Sequence, residues 1–267
     1  MRIPQDYHTH SCFSEDGSST LEEMCHQAVG LEIPEIGFSE HWDVGPYEQN
    51  PRFFQPEKWY AEIARLRELF KGQLLIRAGI EVAEPHLYPR AFTEIQERAD
   101  FDYIIGSVHW VGPNFMFDER FFRQHTADEV YRNYFTELEQ MVIVSDIDIV
   151  AHLDIPVRTA KPFLDYDPLR YEAQLRRILS IIIDRGLALD INTGGKRKPA
   201  SNLMPDPLIV KWYAEMGGVH VTLGSDAHQA DQVGMHLNTA TDAVRAAGLT
   251  QLTQFDLRKA RLIPLQT

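Results

Sequence analysis

The sequence is poor in cysteine and has no long apolar run. Its 267 residues include only Cys12 and Cys25, too few for a disulfide framework and compatible with a reducing compartment. No apolar run approaches the roughly 18 residues that a transmembrane helix needs. Residues 1–6 also lack the apolar stretch of a signal peptide. These absences predict a soluble, cytoplasmic protein.

Basic residues are scarce relative to acidic ones. The chain has 26 Lys and Arg against 39 Asp and Glu, which gives a formal net charge of −13. Nucleic-acid affinity comes mainly from Lys and Arg that neutralise phosphates, so a long polyanion would meet an unfavourable field. We therefore expect a small substrate, with no nucleic-acid partner and no membrane partner. The number of subunits is left open by the sequence.

Short apolar or β-branched runs alternate with stretches of helical period along the chain, as expected of βαβ units. Strands are predicted at Ile3–His8, Glu35–Phe38, Leu74–Glu81, Tyr103–Val108, Ile147–His152, Leu187–Asn192 and Val219–Gly224. A helix is predicted after each strand, two of them starting at capping boxes, Ser19–Glu22 and Thr126–Glu129. No linker interrupts this alternation, which favours one domain over residues 1–267, a closed or nearly closed βα barrel. A doubly wound sheet is the alternative.

Metal-ligating residue types fall at the ends of the predicted strands. They are His8, His10, His41, Glu81, His109, His152, Asp226 and His228, and they include six of the eleven histidines. Side chains two residues apart on a strand lie on the same side, so the two members of each pair at the ends of the first and seventh strands can converge. Each histidine alone is explained equally well by hydrogen bonding in the core. Together at one end of a barrel, these residues predict a multinuclear metal centre.

The same residues carry a family resemblance. The segments His8-Thr9-His10, Ser39-Glu40-His41, Gly79-Ile80-Glu81, Ser107-Val108-His109, Ala151–Asp154 and Gly224–His228 resemble the polymerase and histidinol phosphatase (PHP) superfamily over essentially the whole chain. Within it, the sequence is most similar to the histidinol-phosphatase branch, on segments Asp6–Ser11, Asp16-Gly17 and Asn192–Pro199. Many superfamily members have His in place of Asp16, whereas this branch usually has Asp. The branch commonly has Leu where this chain has Lys196.

The resemblance implies a distorted (β/α)7 TIM-like barrel with its active site at the carboxyl ends of the strands. It also implies three divalent ions, which we expect to be Zn, Fe or Mn. The implied ligand sets are His8, His10, Glu81 and Asp226 for one ion, Glu81, His109 and His152 for a second, and Asp16, His41 and His228 for a third. Glu81, Asp226 and His228 are also predicted as catalytic residues.

Three divalent ions with three carboxylate ligands leave a surplus of about +3, which suits a phosphate dianion. Paired metals can activate a hydroxide for in-line attack on phosphorus. Arg158 and Arg197 follow the fifth and sixth strands and are candidates to bind phosphate through bidentate hydrogen bonds. With the resemblance, these features predict a metal-dependent phosphomonoesterase of histidine biosynthesis that hydrolyses L-histidinol phosphate to L-histidinol and phosphate.

Three alternatives are open. The first is a PHP-type phosphoesterase that acts on nucleotides or other small phosphate esters. The second is an amidohydrolase-like barrel, in which a lysine would be expected where Glu81 stands. The third is a non-catalytic metal-binding module, which should have lost ligands, whereas here every expected ligand position is filled.

Overall fold

The computed structural model of the protein describes residues 3–51, 53–197 and 202–265. The strands in these residues are β1 (Glu35–Trp42), β2 (Leu75–Ala83), β3 (Tyr103–Ser107), β4 (Trp110–Val111), β5 (Asn114–Phe115), β6 (Ile149–Val150), β7 (Ala188–Asn192), β8 (Val221–Gly224), β9 (Gln251–Asp256) and β10 (Lys259–Pro264). The α-helices are α1 (Leu21–Gly30), α2 (Pro56–Leu69), α3 (Pro89–Gln96), α4 (Glu119–Phe122), α5 (Ala127–Val144), α6 (Val157–Ala160), α7 (Glu172–Asp184), α8 (Pro207–Glu215) and α9 (Leu237–Ala246). None of these helices is long and apolar enough to span a bilayer.

A parallel sheet forms the centre of the molecule. Its six regular strands pair in the order β1-β2-β3-β6-β7-β8, and every neighbouring pair is parallel. Residues 6–10 lie between the two edge strands and bond to both. On one side the Asp6 N–H donates to the Glu35 carbonyl (3.0 Å), and on the other the Tyr7 N–H donates to the Leu223 carbonyl (2.8 Å). This segment therefore closes the six strands into an α/β barrel, which confirms the predicted fold class and excludes the doubly wound sheet.

Two local predictions are wrong. The first predicted strand, Ile3–His8, is reduced to an isolated bridge at Asp6, with a second bridge just beyond it at Thr9. The predicted range includes Pro4, which has no N–H to donate. The first capping box is shifted by one residue, because Thr20 rather than Ser19 caps α1. The Ser19 hydroxyl instead accepts a hydrogen bond from the Ala230 N–H (2.9 Å), so a long-range partner replaces the local one.

The amino end of the barrel is covered by the hairpin of β9 and β10. The Phe255 N–H donates to the Tyr7 hydroxyl, and Arg258 pairs with Asp148 just before β6 (2.9 Å). Tyr7 and Tyr103 stack in the barrel interior with ring centroids 4.9 Å apart, and both are fully buried. This packing fills the floor of the barrel and leaves its carboxyl end for the functional site.

Candidate metal centre

The barrel brings the predicted ligands together at the carboxyl ends of its strands. His8 and His10 lie on the closing segment, and His41 and Glu81 lie near the ends of β1 and β2. The remaining four follow the ends of their strands, and they are His109, His152, Asp226 and His228. Most of these side chains are buried, and His41 and His228 are half-buried. The period-two alternation of the strands explains why both members of the His8/His10 pair reach the same site.

Glu81 lies at the centre of this arrangement. Its side chain is fully buried, and five imidazoles face its two carboxylate oxygens. The facing nitrogens lie 2.9–3.6 Å from those oxygens and belong to His8, His10, His41, His109 and His152. Burial acts to raise the pKa of Glu81, but the imidazoles of His8 and His109 outweigh it and hold that pKa well below its usual range. Glu81 is therefore an ionised carboxylate able to bridge cations.

Four overlapping triads have ligand atoms within 4.8 Å of one another among the described residues. They are His8, His10 and Asp226; His8, Glu81 and His152; His41, Glu81 and His109; and His10, His41 and His228. The first triad lies within the ligand set that the resemblance implies for one ion. The other triads share His8, His10, His41 or Glu81 with a neighbour. Among the shared residues only the Glu81 carboxylate has two oxygens with which to bridge ions, so the triads form one contiguous cation-binding site around Glu81.

Asp16 lies at the outer edge of the cluster, in the loop after the closing segment. Its carboxylate oxygens are 3.6 Å from His41 Nε2 and 3.0 Å from His228 Nε2. Asp16 is 59% exposed, whereas Glu81 is buried. Asp16 thus contacts, from the solvent side, the imidazoles of His41 and His228, the two histidines of its implied ligand set.

Unpartnered polar atoms test whether the residues fit a metal. Buried and without a hydrogen-bond partner among the described residues are His8 Nε2, His10 Nε2, His41 Nδ1, His152 Nδ1 and Glu81 Oε2. Buried polar atoms are almost always hydrogen-bonded, so such a group of bare nitrogens and an oxygen needs a ligand. Burial and the neighbouring imidazoles of His41 and His228 lower the pKa of His10, which favours the neutral form that coordinates metals. At His8, His41 and His109 the facing carboxylates outweigh burial and raise the pKa. The donor set fits divalent cations.

Two further carboxylates orient the imidazoles. Asp190 Oδ2 lies 2.9 Å from His8 Nδ1, and Asp43 Oδ2 lies 2.9 Å from His109 Nδ1. Such contacts fix the ring and leave Nε2 as the ligating atom. Sequence reasoning did not assign these roles, although Asp43 follows His41 by two residues and Asp190 lies on a predicted strand.

The two predicted phosphate-binding arginines occupy different places. Arg158 lines the cavity above the metal ligands, and its Nη1 lies 3.0 Å from Asp226 Oδ2. Arg197 donates instead to the carbonyls of Ser225 (2.6 Å) and Asp226 (2.5 Å). Burial acts to raise the pKa of Asp226, and the Arg158 guanidinium is the main influence that holds it far below its usual range. Of the adjoining basic residues, Lys198 lies outside the described residues.

A cavity of about 460 Å³ opens above the site. Besides the metal ligands and Arg158, it is lined by aromatic side chains and by carboxylates that no metal triad uses. The aromatic residues are Trp42, Phe53, Phe54, Phe115 and Phe117, and the carboxylates are Glu15, Asp43 and Glu48. The cavity thus joins a cation-binding floor and a guanidinium to an acidic, aromatic wall.

Comparison with known proteins identifies the family. Residues 6–194 match the model of the PHP domain. The chain belongs to the PHP family. The match ends before Asp226 and His228, and the fold brings these two side chains beside His8, His10 and His41.

Relatives within the PHP family share most of the length of the chain. A probable histidinol-phosphatase from Deinococcus radiodurans is 30% identical over 91% of this chain and 93% of the relative. The histidinol-phosphatase of Lactococcus lactis is 28% identical over 94% of this chain and 93% of its own. A crystal structure of histidinol phosphate phosphatase from Lactococcus lactis, complexed with Zn, L-histidinol and phosphate, aligns with a TM-score of 0.87. It has 24% identity and covers 97% of this chain and 99% of that chain.

Proposed function

We propose that this protein is a metal-dependent phosphomonoesterase that hydrolyses L-histidinol phosphate to L-histidinol and phosphate. The observation that carries the proposal is the buried Glu81 facing five imidazoles, with bare ligand atoms and Arg158 nearby. Two relatives that match nearly the whole chain are named histidinol-phosphatase or probable histidinol-phosphatase, and the similar crystal structure contains Zn, L-histidinol and phosphate. These similarities support the substrate.

The residues of the cluster would hold up to three divalent ions, Zn, Fe or Mn. The proposed ligands are His8, His10, Asp16, His41, Glu81, His109, His152, Asp226 and His228. When bound, divalent cations supply positive charge to phosphate oxygens and lower the pKa of water. Among the ligands, we propose Glu81, Asp226 and His228 as the catalytic residues, and each of them borders the cavity in which the phosphate would lie, as Asp16, His41, His109 and His152 also do.

The arginines act on the substrate side in different ways. Arg158 borders the cavity, and its planar guanidinium is able to donate to two phosphate oxygens while it contacts Asp226. Arg197 instead donates hydrogen bonds to the backbone carbonyls of Ser225 and Asp226 and so stabilises the loop that carries Asp226. Asp226 has a left-handed backbone with φ of 55°, which is uncommon for a residue other than glycine. The two hydrogen bonds from Arg197 therefore stabilise an unfavourable local conformation.

The cavity wall favours an organic cation over a nucleotide. Glu48 and Asp43 line the cavity beside several aromatic rings. Glu48 forms no ion pair with Lys or Arg among the described residues, and Asp43 pairs with His109 through Oδ2. Such a wall attracts a positively charged ring or amine and repels additional phosphates. L-histidinol phosphate has its phosphate at one end, its imidazole at the other and its amine on the carbon between them, so it matches both parts of the cavity.

The test is phosphate release by the purified, metal-reconstituted protein. We expect kcat/KM for histidinol phosphate to exceed that for nucleotides and sugar phosphates by at least about 100-fold, since buried polar groups reject substrates that leave them unpaired. Flat or nucleotide-biased activity would favour the broader phosphoesterase instead. Release from none of the substrates would favour a non-catalytic metal-binding module.

The remaining sequence predictions belong to the same proposal. We propose that residues 1–267 form one PHP-type domain, that the protein acts in the cytoplasm, and that it has no nucleic-acid partner. The net charge of −13 supports the last of these.

A further inference from the structure

Glu84 is a buried carboxylate that takes no part in the metal cluster. It follows β2 and lies three residues beyond Glu81, with 2% of its surface exposed. Its Oε1 accepts hydrogen bonds from the N–H groups of His109 (2.5 Å) and Trp110 (2.9 Å). Its own N–H donates to the Ser107 carbonyl (2.9 Å). One side chain thus holds the turn in which the chain leaves β3.

The two residues held by Glu84 serve different parts of the site. His109 presents Nε2 to Glu81 at 3.5 Å. Trp110 donates from Nε1 to Glu48 Oε1 (2.5 Å), and Glu48 lines the cavity. Glu84 is therefore connected through adjacent residues to a metal-facing imidazole and to the wall at which we place the organic cation.

His109 is constrained from three directions. Glu84 holds its backbone N–H, Asp43 holds its ring Nδ1, and Glu81 faces its Nε2. Asp43 alone fixes which ring nitrogen is free, but the turn that carries the ring is fixed by Glu84. Removal of Glu84 would leave two neighbouring N–H groups unpaired in a buried place, and unpaired buried donors are costly. The turn would relax toward other acceptors, and both side chains would move with it.

We propose that Glu84 is a positioning residue, which through two backbone N–H groups sets His109 for metal binding and Trp110 for holding Glu48 at the cavity wall. This inference rests on the proposed metal centre and adds to it a residue whose side chain is in none of the metal triads and does not line the cavity. Loss of groups that orient metal ligands typically reduces metal affinity 10- to 100-fold. The same loss at Trp110 is expected to raise KM for histidinol phosphate.

The experiment compares Glu84→Ala with Glu84→Gln. Zinc affinity is measured on the metal-free proteins by competition with a chromogenic chelator, and kcat and KM are measured after reconstitution. We expect Glu84→Ala to bind its weakest zinc ion about 10- to 100-fold less tightly and to have a higher KM. Glu84→Gln keeps an Oε1 acceptor, so it should restore zinc affinity and KM to within about threefold of the wild type. Equal losses in both variants would overturn the backbone hydrogen-bond role.

Asp102→Ala is the matched control. Asp102 is also buried and also accepts from two backbone N–H groups, those of Ala78 (2.8 Å) and Leu257 (3.2 Å), but it lies at the amino end of the barrel. We expect this variant to lose thermal stability and to retain zinc affinity. A matching loss of zinc affinity in Asp102→Ala would mean that general loosening explains the effect, and the proposal would be wrong.

A second variant covers failure of Glu84→Ala to fold. Glu84→Asp keeps the carboxyl group but shortens the side chain by one methylene, which withdraws the acceptor from the turn. We expect zinc affinity to fall in this variant, and wild-type affinity would contradict the proposal. If the wild-type protein itself binds no zinc, the proposed function fails. If the wild-type protein binds zinc and the Glu84→Ala and Glu84→Asp variants bind it equally tightly, only the positioning role of Glu84 fails.

Discussion

At the residue scale, Glu81 and His10 contribute to several parts of the metal cluster at once. Glu81 faces five imidazoles, and His10 belongs to two of the four triads. Replacement of either by Ala should abolish phosphate release, because Glu81 is the proposed bridge between ions and His10 is a proposed ligand of one of them. The barrel should still fold, since the far larger apolar core is unchanged. Phosphate release and far-UV circular dichroism of the purified variants measure the two outcomes.

His125→Ala is the control for these variants. His125 is exposed, and its Nδ1 lies 2.8 Å from the carbonyl oxygen of Phe121, four residues earlier on the chain. The His125→Ala variant should therefore be as active as the wild-type protein. Near-normal turnover by Glu81→Ala or His10→Ala would contradict the proposed mechanism.

The sequence predicted which residue types come together at the metal site, but not all of the hydrogen bonds that position them. Imidazoles and carboxylates at strand ends are visible in the sequence because a parallel barrel turns all those ends to one face. The role of Glu84 is not visible, since its partners are backbone N–H groups that every residue except proline possesses. The hydrogen bonds of Arg197 could not be predicted for the same reason, because both of its acceptors are backbone carbonyls.

At the scale of elements, the contact between β1, β2 and β3 depends on glycine. A Cβ atom at Gly79 on β2 would lie 2.3 Å from the ring of Tyr103, which is fully buried in the barrel. Gly79→Ala should therefore lower the free energy of unfolding by about 1–3 kcal/mol, the usual cost of overpacking. Urea unfolding measures this change.

Gly30→Ala at the end of α1 is the matched substitution. A Cβ atom there would meet no heavy atom within 4 Å, so no steric loss is expected. A loss equal to that of Gly79→Ala would show that steric contact with Tyr103 is not the cause.

Helices were easier to predict than short strands. The capping box at Thr126 and the helix to Val144 are confirmed, because capping and apolar period are local properties. The fifth predicted strand, Ile147–His152, is reduced to Ile149–Val150, and His152 has a positive φ of 21°. The hairpin of β9 and β10 was not predicted, since its role is to cover the barrel and its stability depends on residues far along the chain.

At the scale of the whole molecule, metal binding and folding are separable. The main apolar cluster extends from Leu21 to Leu265 and does not include the metal ligands. Chelation by EDTA should therefore abolish activity and leave the far-UV circular dichroism unchanged, while Tm falls because bound metal stabilises only the native state. Addition of zinc or manganese should restore activity. Unfolding on chelation would contradict this separation and indicate a structural role for the metal.

The covered floor of the barrel has a consequence for turnover. Beneath the metal ligands, in the part of the chain that the structure describes, Tyr7, Tyr103 and Phe255 fill the interior, so both products leave through the cavity mouth. Phosphate forms at the ligands and the alcohol lies at the outer wall, so we expect ordered release with the alcohol departing first. Phosphate should then inhibit competitively against the substrate, and L-histidinol noncompetitively. The opposite pattern in steady-state product inhibition would place the alcohol on the inner side.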